Sequence, residues 1–381
     1  MIVIGTNHHN TLGIIRSLGQ KNIYPDVILY GNDVADGFVV HSKYIRACHC
    51  FETVEEAIKE LSKLCTNGNI NEKRRICVIT CSDEVASILD HQYEEWKERL
   101  SFFNCGEKGL LTYYMDKQVQ VDIAKEVGIS VPDSLTHRIG EELLDKVMLP
   151  CIVKPLESIH GGKKISVCDN WESAISVLNT YNEGDVVQIQ QYIQGDYEIV
   201  VDGLALEADI IIPGYIKKFR NIKGGTTYSE SYPLNSLPTA IINSIKTMLR
   251  RMHYYGLFGV ELIVSRGVYY FIEVNLRNDA TTYTLSKAGI NLPYIYYLST
   301  YGVDYSNELN VIRNIRSMVE YRDLDFVFSR KISYHQWLKE KRNCECLYFA
   351  DSEDPLPASI ARKHYLKSKI SSVLCKLHLT K

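Results

Sequence analysis

Three polar residues close an otherwise apolar run, and their types and spacing invite chemistry. In YYFIEVNLRND (Tyr269–Asp279), Glu273, Asn275 and Arg277 fall at every second position. Residues two apart on a strand share a face, so a carboxylate, an amide and a guanidinium line up at the end of an apolar strand. A second carboxylate, Glu261, lies on the preceding run GLFGVELIV, and the two runs form a hairpin pattern turning near Arg266–Gly267. Hairpin strands run about 5 Å apart, so Glu261 and Glu273 converge. Carboxylate and amide oxygens suit magnesium, a hard cation that bridges protein to nucleotide phosphates. Arg277 adds a fixed cation beside phosphates or a reacting carboxyl group. A solvated strand end would show the same spacing, so the trio alone leaves both readings open.

Lysines elsewhere favour the chemical reading. Lys154 ends the short apolar strand LPCIVKP, where a buried ammonium is costly unless an anion meets it. It precedes the turn Ser158–Lys164, whose Gly161 and Gly162 let backbone amides approach phosphate oxygens. Lys117 opens the amphipathic helix DKQVQVDIAKEVGISVP, closed by Gly128 before Pro132. Each feature alone reads as a surface turn or a surface charge. Their order carries more: lysine, strand lysine, glycine turn, paired strands, then Glu and Glu-x-Asn-x-Arg. Lys217, Lys218 and Arg220, on a loop or strand before NIKGGTTYSESYP, offer a further phosphate contact or a solvated charged stretch.

These residues need elements to position them. Over the first hundred residues MIVIG, DVILYG and RICVIT alternate with helical stretches, the last starting near Val85, which implies a parallel sheet covered on both faces. The first turn, GTNHHN, lacks G-x-G-x-x-G, which argues against a dinucleotide and a dehydrogenase. A second unit begins near Thr112: DVVQIQQYIQGDYEIVVDGLAL reads as strand, link and strand, and INSIKTMLRRMHYYG as a helix ending at Gly256. A more charged tail follows Tyr305. The chain of 381 residues suits two or three domains. The expected division is 1–111, 112–305 with lobes of about 112–185 and 186–305, and a C-terminal extension, 306–381, packing on the core.

At this point the sequence resembles the ATP-grasp superfamily of carboxylate–amine ligases over roughly Thr112 to Tyr305. The motifs are DK at Asp116–Lys117, CIVKP with Lys154, VVQIQQYIQGDYE, GLFGVELIV and FIEVNLR. Within that superfamily it looks most like the branch of D-aspartate ligases and carbamoyl-phosphate-synthase-like ligases, through VVHSKYIRACHC, CSDE (Cys81–Glu84) and YFADSEDPLP. Leu276 stands where proline is usual, and NDATT where the family continues with glycines.

The resemblance implies an α/β and α+β fold: an N-terminal Rossmann-like (pre-ATP-grasp) domain, a two-lobed ATP-grasp domain and the extension. It implies ATP contacted by Lys117 and Lys154, with Ser158, His160, Gly161 and Gly162 closing over the phosphates. Gln190, Gln191, Tyr192 and Ile193 would meet the adenine, and Glu198 the ribose. Glu261, Glu273 and Asn275 would hold Mg2+, two ions in all, with Mn2+ able to substitute. Catalysis would rest on Lys154 and Arg277. Ser82, Asp83, Glu84, Lys218 and Arg277 are the expected substrate contacts, Asp83 and Glu84 because ligands gather beyond the carboxyl ends of strands in open α/β sheets.

The implied reaction joins a small-molecule carboxylate to an amine through an acyl phosphate, releasing ADP and phosphate, as in an amino-acid ligase of cell-envelope or glycan metabolism. A kinase of a small molecule and a non-catalytic nucleotide-binding scaffold are the alternatives. No general base is evident; His8, His9 and His160 are the histidines near the expected site, with packing as their default role. The formal charge of 43 − 46 = −3 gives no pull toward nucleic acid or membrane, and no apolar run is long enough to span one. Eleven scattered cysteines fit reduced thiols better than zinc ligands or a disulfide framework. Together with the absence of a signal-peptide pattern they lead to a cytoplasmic expectation, and the resemblance allows a homodimer.

Overall fold

The computed structural model describes residues 1–67, 75–143, 145–155, 166–222 and 225–376. Strands Ile2–Gly5, Asp26–Tyr30, Ala47–Phe51, Ile76–Thr80 and Leu100–Ser101 form a parallel sheet in the order third, second, first, fourth, fifth. Alternation along the central strands divides two cores. Val3, Val27, Leu29 and Ile79 face one, with Leu12 and Ile15 of the helix His9–Gly19. Ile2, Ile4, Ile28 and Val78 face the other, with Val54, Ile58 and Leu61 of the helix Val54–Asn67. Both faces are covered, as the apolar runs require. His8 and Ser82 follow the carboxyl ends of the first and fourth strands and open the helices His9–Gly19 and Asp83–His91.

Two sheets make up most of the remainder, antiparallel except where Arg316–Met318 and Cys346–Leu347 pair in parallel. Ser134–Arg138, Val186–Gln191, Cys151–Pro155 and Ser166–Cys168 form one, in that spatial order. The helix Trp171–Leu178 covers it through Ala174 and Leu178 against Val153, Val187 and Ile189. The larger sheet runs Val268–Asn275, Gly256–Ser265, Tyr197–Ala205, Gly214–Ile222, Gly225–Pro233, Arg316–Met318 and Cys346–Leu347, with Ile210–Ile211 pairing Ala205 and Leu204.

Some sequence expectations need correction. Val186–Gln191, expected to open the second lobe, pairs with both Ser134–Arg138 and Cys151–Pro155 in the middle of the smaller sheet. The chain passes between the sheets afterwards, through Tyr192–Asp196. Two apolar runs six or more residues long do not reveal which partner each will choose. The helix expected to reach Gly256 spans Thr239–Arg251. His253 turns left-handed there (φ 49°) and the Tyr254 N–H donates to Leu249 O. Tyr255 then bridges to Asn104, and Gly256 starts a strand with φ 142°.

The hairpin turn falls where expected. Arg266 and Gly267 both have positive φ, 50° and 78°, the two-residue turn whose twist matches its strands. Strict alternation fails further along, because it would put Phe271 on the face of Glu273. A register shift between Glu261 and Leu262 opposes Glu261 to Glu273 and Leu262 to Phe271, leaving Ile272 as the extra residue. Such a bulge re-aims the side chains beyond it. Phe271 therefore stays buried while Glu273 and Asn275 remain partly open.

Candidate functional site

Lys117 is the first residue of the helix Lys117–Glu126, capped by Asp116, whose carboxylate accepts from the N–H groups of Gln118 and Val119. Gln120, buried on the same helix, fixes it to the hairpin edge. Its amide donates to Val274 O and Tyr114 O, both at 2.9 Å, and accepts from Val274 N at 3.0 Å. Val274 stands between Glu273 and Asn275, so one glutamine sets the helix bearing Lys117 against both. Lys117 Nζ lies 3.6 Å from Glu273 Oε2. Sequence reasoning missed Gln120, since a glutamine on a polar helix gives no signal.

Lys154 faces the same cleft from the smaller sheet and donates to Gln190 Oε1 at 3.0 Å. Burial first, then repulsion from Lys117, lower its pKa to about 8, with Glu273 opposing. Glu261 and Glu273 stand directly opposite each other across the hairpin. Lys218 Nζ reaches Glu261 Oε2 at 2.5 Å and lies 3.8 Å from Glu198 Oε2. Burial works against the Lys218 charge, yet Glu261 and Glu198 hold its pKa above the ordinary value. Burial, Glu273 and Asp279 push the Glu261 carboxyl upward, against Lys218.

Arg277 lies just past the strand end. It donates through Nε to Asp83 Oδ1 at 2.8 Å and through NH2 to Asn275 Oδ1 at 3.1 Å. Burial opposes its charge, while Asp83, Asp279 and Glu273 together sustain it. The hydroxyl of Ser82 is taken up by its own helix: it accepts from Val85 N and meets Tyr30 Oη at 2.7 Å.

Two cavities meet at this cluster. One, about 1120 Å³, is lined by Lys117, Lys154, Gln190, Gln191, Tyr192 and Ile193. The other, about 660 Å³, is lined by His8, His9, Ser82, Lys218, Asp279 and Tyr348, among others. Asp83, Glu198, Glu261, Glu273, Asn275 and Arg277 belong to both walls. Of the expected residues that the structure describes, all but Glu84 are thus brought together. Glu84 is exposed and lines neither cavity. Ser158, His160, Gly161 and Gly162 lie outside the described residues. Arg220 has a structural position: its guanidinium binds Asp323 through two bonds and Glu340 through one. His8 Nδ1 accepts from Asn10 N, and burial lowers its pKa to about 4, helped by Arg322 and Arg277. His9 is held well below its ordinary value by burial, then by His8. Both are neutral at pH 7.

Magnesium fits the donor set. Two carboxylates and an amide oxygen supply hard ligands, and the raised Glu261 carboxyl marks negative charge that a cation would relieve. Among the described residues no group of three His, Cys, Asp or Glu side chains is placed to hold a metal. Phosphate oxygens would therefore have to complete the coordination.

The cleft between the two sheets thus brings Lys154 of the smaller sheet toward Lys117 and the paired carboxylates Glu261 and Glu273 of the larger one. Residues 114–281 match the family model of the ATP-grasp domain. It is 25% identical over 191 residues to the carbamoyl phosphate synthase large chain of Lachnoclostridium phytofermentans, covering 47% of this chain and 18% of that relative. The chain thus spans under a fifth of that relative's length. Among solved structures, the L-amino acid ligase of Bacillus licheniformis superposes with a TM-score of 0.61 at 15% identity, over 83% of this chain and 78% of that one. The N5-carboxyaminoimidazole ribonucleotide synthetase of Thermus thermophilus gives 0.62 at 12% identity, over 83% and 82%. Both likenesses are of fold. Among the described residues no helix is long and apolar enough to cross a membrane.

Proposed function

We propose that this chain is an ATP- and magnesium-dependent ligase that joins a small-molecule carboxylate to an amine through an acyl phosphate, releasing ADP and phosphate. The observation that carries this reading is the meeting of two cavities at Glu261, Glu273, Asn275 and Arg277. One cavity offers Lys117, Lys154 and Arg277 to a triphosphate, and the other has room for an acid and an amine of amino-acid size. In this reading residues 1–111 are a Rossmann-like domain, 112–305 the ATP-grasp domain and 306–381 an extension packed on them. Ten of the eleven cysteines are free thiols in the structure, in keeping with a cytoplasmic enzyme.

ATP lies in the larger cavity, its adenine beside Gln191–Ile193 and its ribose near Glu198. Lys117 and Lys154 hold the phosphates and cancel their repulsion of the incoming carboxylate. Glu261, Glu273 and Asn275 would hold magnesium, which when bound would supply charge neutralisation at the phosphates. Arg277 orients the substrate carboxylate and stabilises charge on the acyl phosphate and on the tetrahedral species that follows. Asp83 holds the Arg277 fork in place, and the amine attacks from the smaller cavity.

Lys154 gives this reading a pH signature. Its charged form binds phosphate, and its pKa in the free protein is about 8 against an ordinary 10.5. ATP affinity should therefore fall as pH rises through about 8. Lys154→Gln should remove this dependence and weaken binding roughly 10- to 100-fold, the worth of one charged hydrogen bond. Titration calorimetry at several pH values checks both. The sign for stability is the reverse: charged Lys154 is disfavoured below pH 8, and that cost is relieved between about 8 and 10.5 as the unfolded chain keeps its proton longer.

Phosphate release from ATP and magnesium, with pooled carboxylates crossed against pooled amines, tests the function directly. Release that needs both an acid and an amine is the expected result. Release with hydroxyl compounds alone, giving a stable phosphorylated product, would make the protein a kinase.

A further inference from the structure

The smaller cavity has a floor that the proposed chemistry above leaves unused. Asp279, Ala280 and Thr281 line it, immediately beyond the hairpin. The Thr281 hydroxyl lies 2.7 Å from Asp279 Oδ1 and 2.7 Å from Asp202 Oδ2. One hydroxyl proton serves only one of these oxygens, so the other carboxyl must bring a proton of its own. Asp202 is wholly buried, and its Oδ1 has no hydrogen-bond partner among the described residues. Burial, then the charge of Asp279, push its pKa well above the ordinary carboxyl range. Asp202 is therefore the protonated member. A proton on Asp202 is donated to Thr281, and the Thr281 hydroxyl then donates to Asp279 Oδ1. Gly259, opposite Asp202 in the sheet, makes the close approach feasible: a Cβ there would lie 3.0 Å from Asp202 Oδ1 and 3.1 Å from Asp279 Cβ. Asp279 Oδ1 also accepts from Thr281 N at 3.0 Å. Its Oδ2 has no hydrogen-bond partner among the described residues, and the side chain is half-buried at the cavity wall.

We propose that Asp279 receives the ammonium group of the acceptor amine and takes its proton; the assignment rests on the ligase reading. The other titratable groups facing this cavity are committed elsewhere. Glu261 is held by Lys218, Glu198 by Asn221, Asp83 by Arg277, and Glu273 lies beside Lys117. His8 and His9 are weak bases in this setting, and Tyr348 donates its hydroxyl proton to Ala280 O. The amine arrives as R–NH3+, and Asp279 removes one proton. The freed lone pair then forms the C–N bond at the acyl carbon while the C–O bond to phosphate breaks. Phosphate leaves with that electron pair and collects the second N–H proton.

Hydroxylamine separates this role from a structural one, because it is neutral at pH 7 and traps acyl phosphates as hydroxamates without needing a base. Asp279→Asn should lower amide formation from pooled amino acids about 10²–10³-fold, within the usual contribution of a general base. Hydroxamate formation should stay within a few-fold of the native chain, and raising the pH, which supplies neutral amine, should recover part of the lost amide rate. Asp279→Glu should retain more amide formation than Asp279→Asn. Equal loss of both reactions, or amide formation within a few-fold of native in Asp279→Asn, would overturn the assignment. Absence of hydroxamate with the native chain would remove the ligase reading itself, and this assignment with it.

Discussion

Replacing Glu273 by Gln should lower ATP turnover on the order of 10³-fold while leaving the protein as stable as before. Glu273 stands directly opposite Glu261, so the two carboxylates repel each other unless a cation lies between them. Gln keeps the shape and loses the charge. Its side chain is 32% exposed, so removing the charge costs little in folding and relieves the Glu261 pair. Turnover suffers because a metal supplies several kcal/mol of charge stabilisation at a transferring phosphoryl group, and each 1.36 kcal/mol is tenfold in rate. Steady-state phosphate release and a denaturation midpoint, measured on the same preparation, check both halves. Activity within tenfold of native would show that the paired carboxylates do not hold the catalytic metal.

The second large effect concerns folding. Arg16 and Asp354 are 0% and 1% exposed and joined at 2.9 Å. Arg16 also donates to the carbonyls of Tyr348, Phe349 and Asp354, while Asp354 accepts from Ser42 Oγ and Lys43 N. This network fastens the segment 348–354 to the first helix and to the turn after Val39. Arg16→Met leaves a buried carboxylate without its cation, which costs roughly 3–5 kcal/mol, a large part of ordinary folding stability. Urea unfolding should show the loss, and the double variant Arg16→Met/Asp354→Leu should recover part of it. Tyr348 lines the smaller cavity, so Arg16→Met should also raise KM for the amine more than for ATP. An unchanged unfolding midpoint would contradict this view of the network.

Much of the site was legible because its residues follow local rules. The turn at Arg266–Gly267, the lysine opening a helix after Asp116, and Glu261 opposite Glu273 all depend on short-range spacing. The bulge at Ile272 was not legible, although Phe271 and Glu273 in one alternation already conflict, one wanting the core and the other water. Ala47–Phe51 lacks an apolar alternation; it is a strand because its backbone pairs with Asp26–Tyr30. Asp202 lies in the apolar run YEIVVDGLA, where nothing local announces a partner far along the chain in Thr281. Gln120 and Arg16 likewise act through contacts distant in sequence. YFADSEDPLP drew notice as a motif, and its buried Asp354 turns out to anchor the fold.

The most direct measurement follows oxygen. With the substrate carboxylate carrying heavy oxygen, the native chain, ATP and magnesium should produce inorganic phosphate containing one labelled atom per amide formed, because the acyl phosphate passes that oxygen to the departing phosphate. Amide formed with unlabelled phosphate would contradict an acyl-phosphate ligase and require another activated form of the acid.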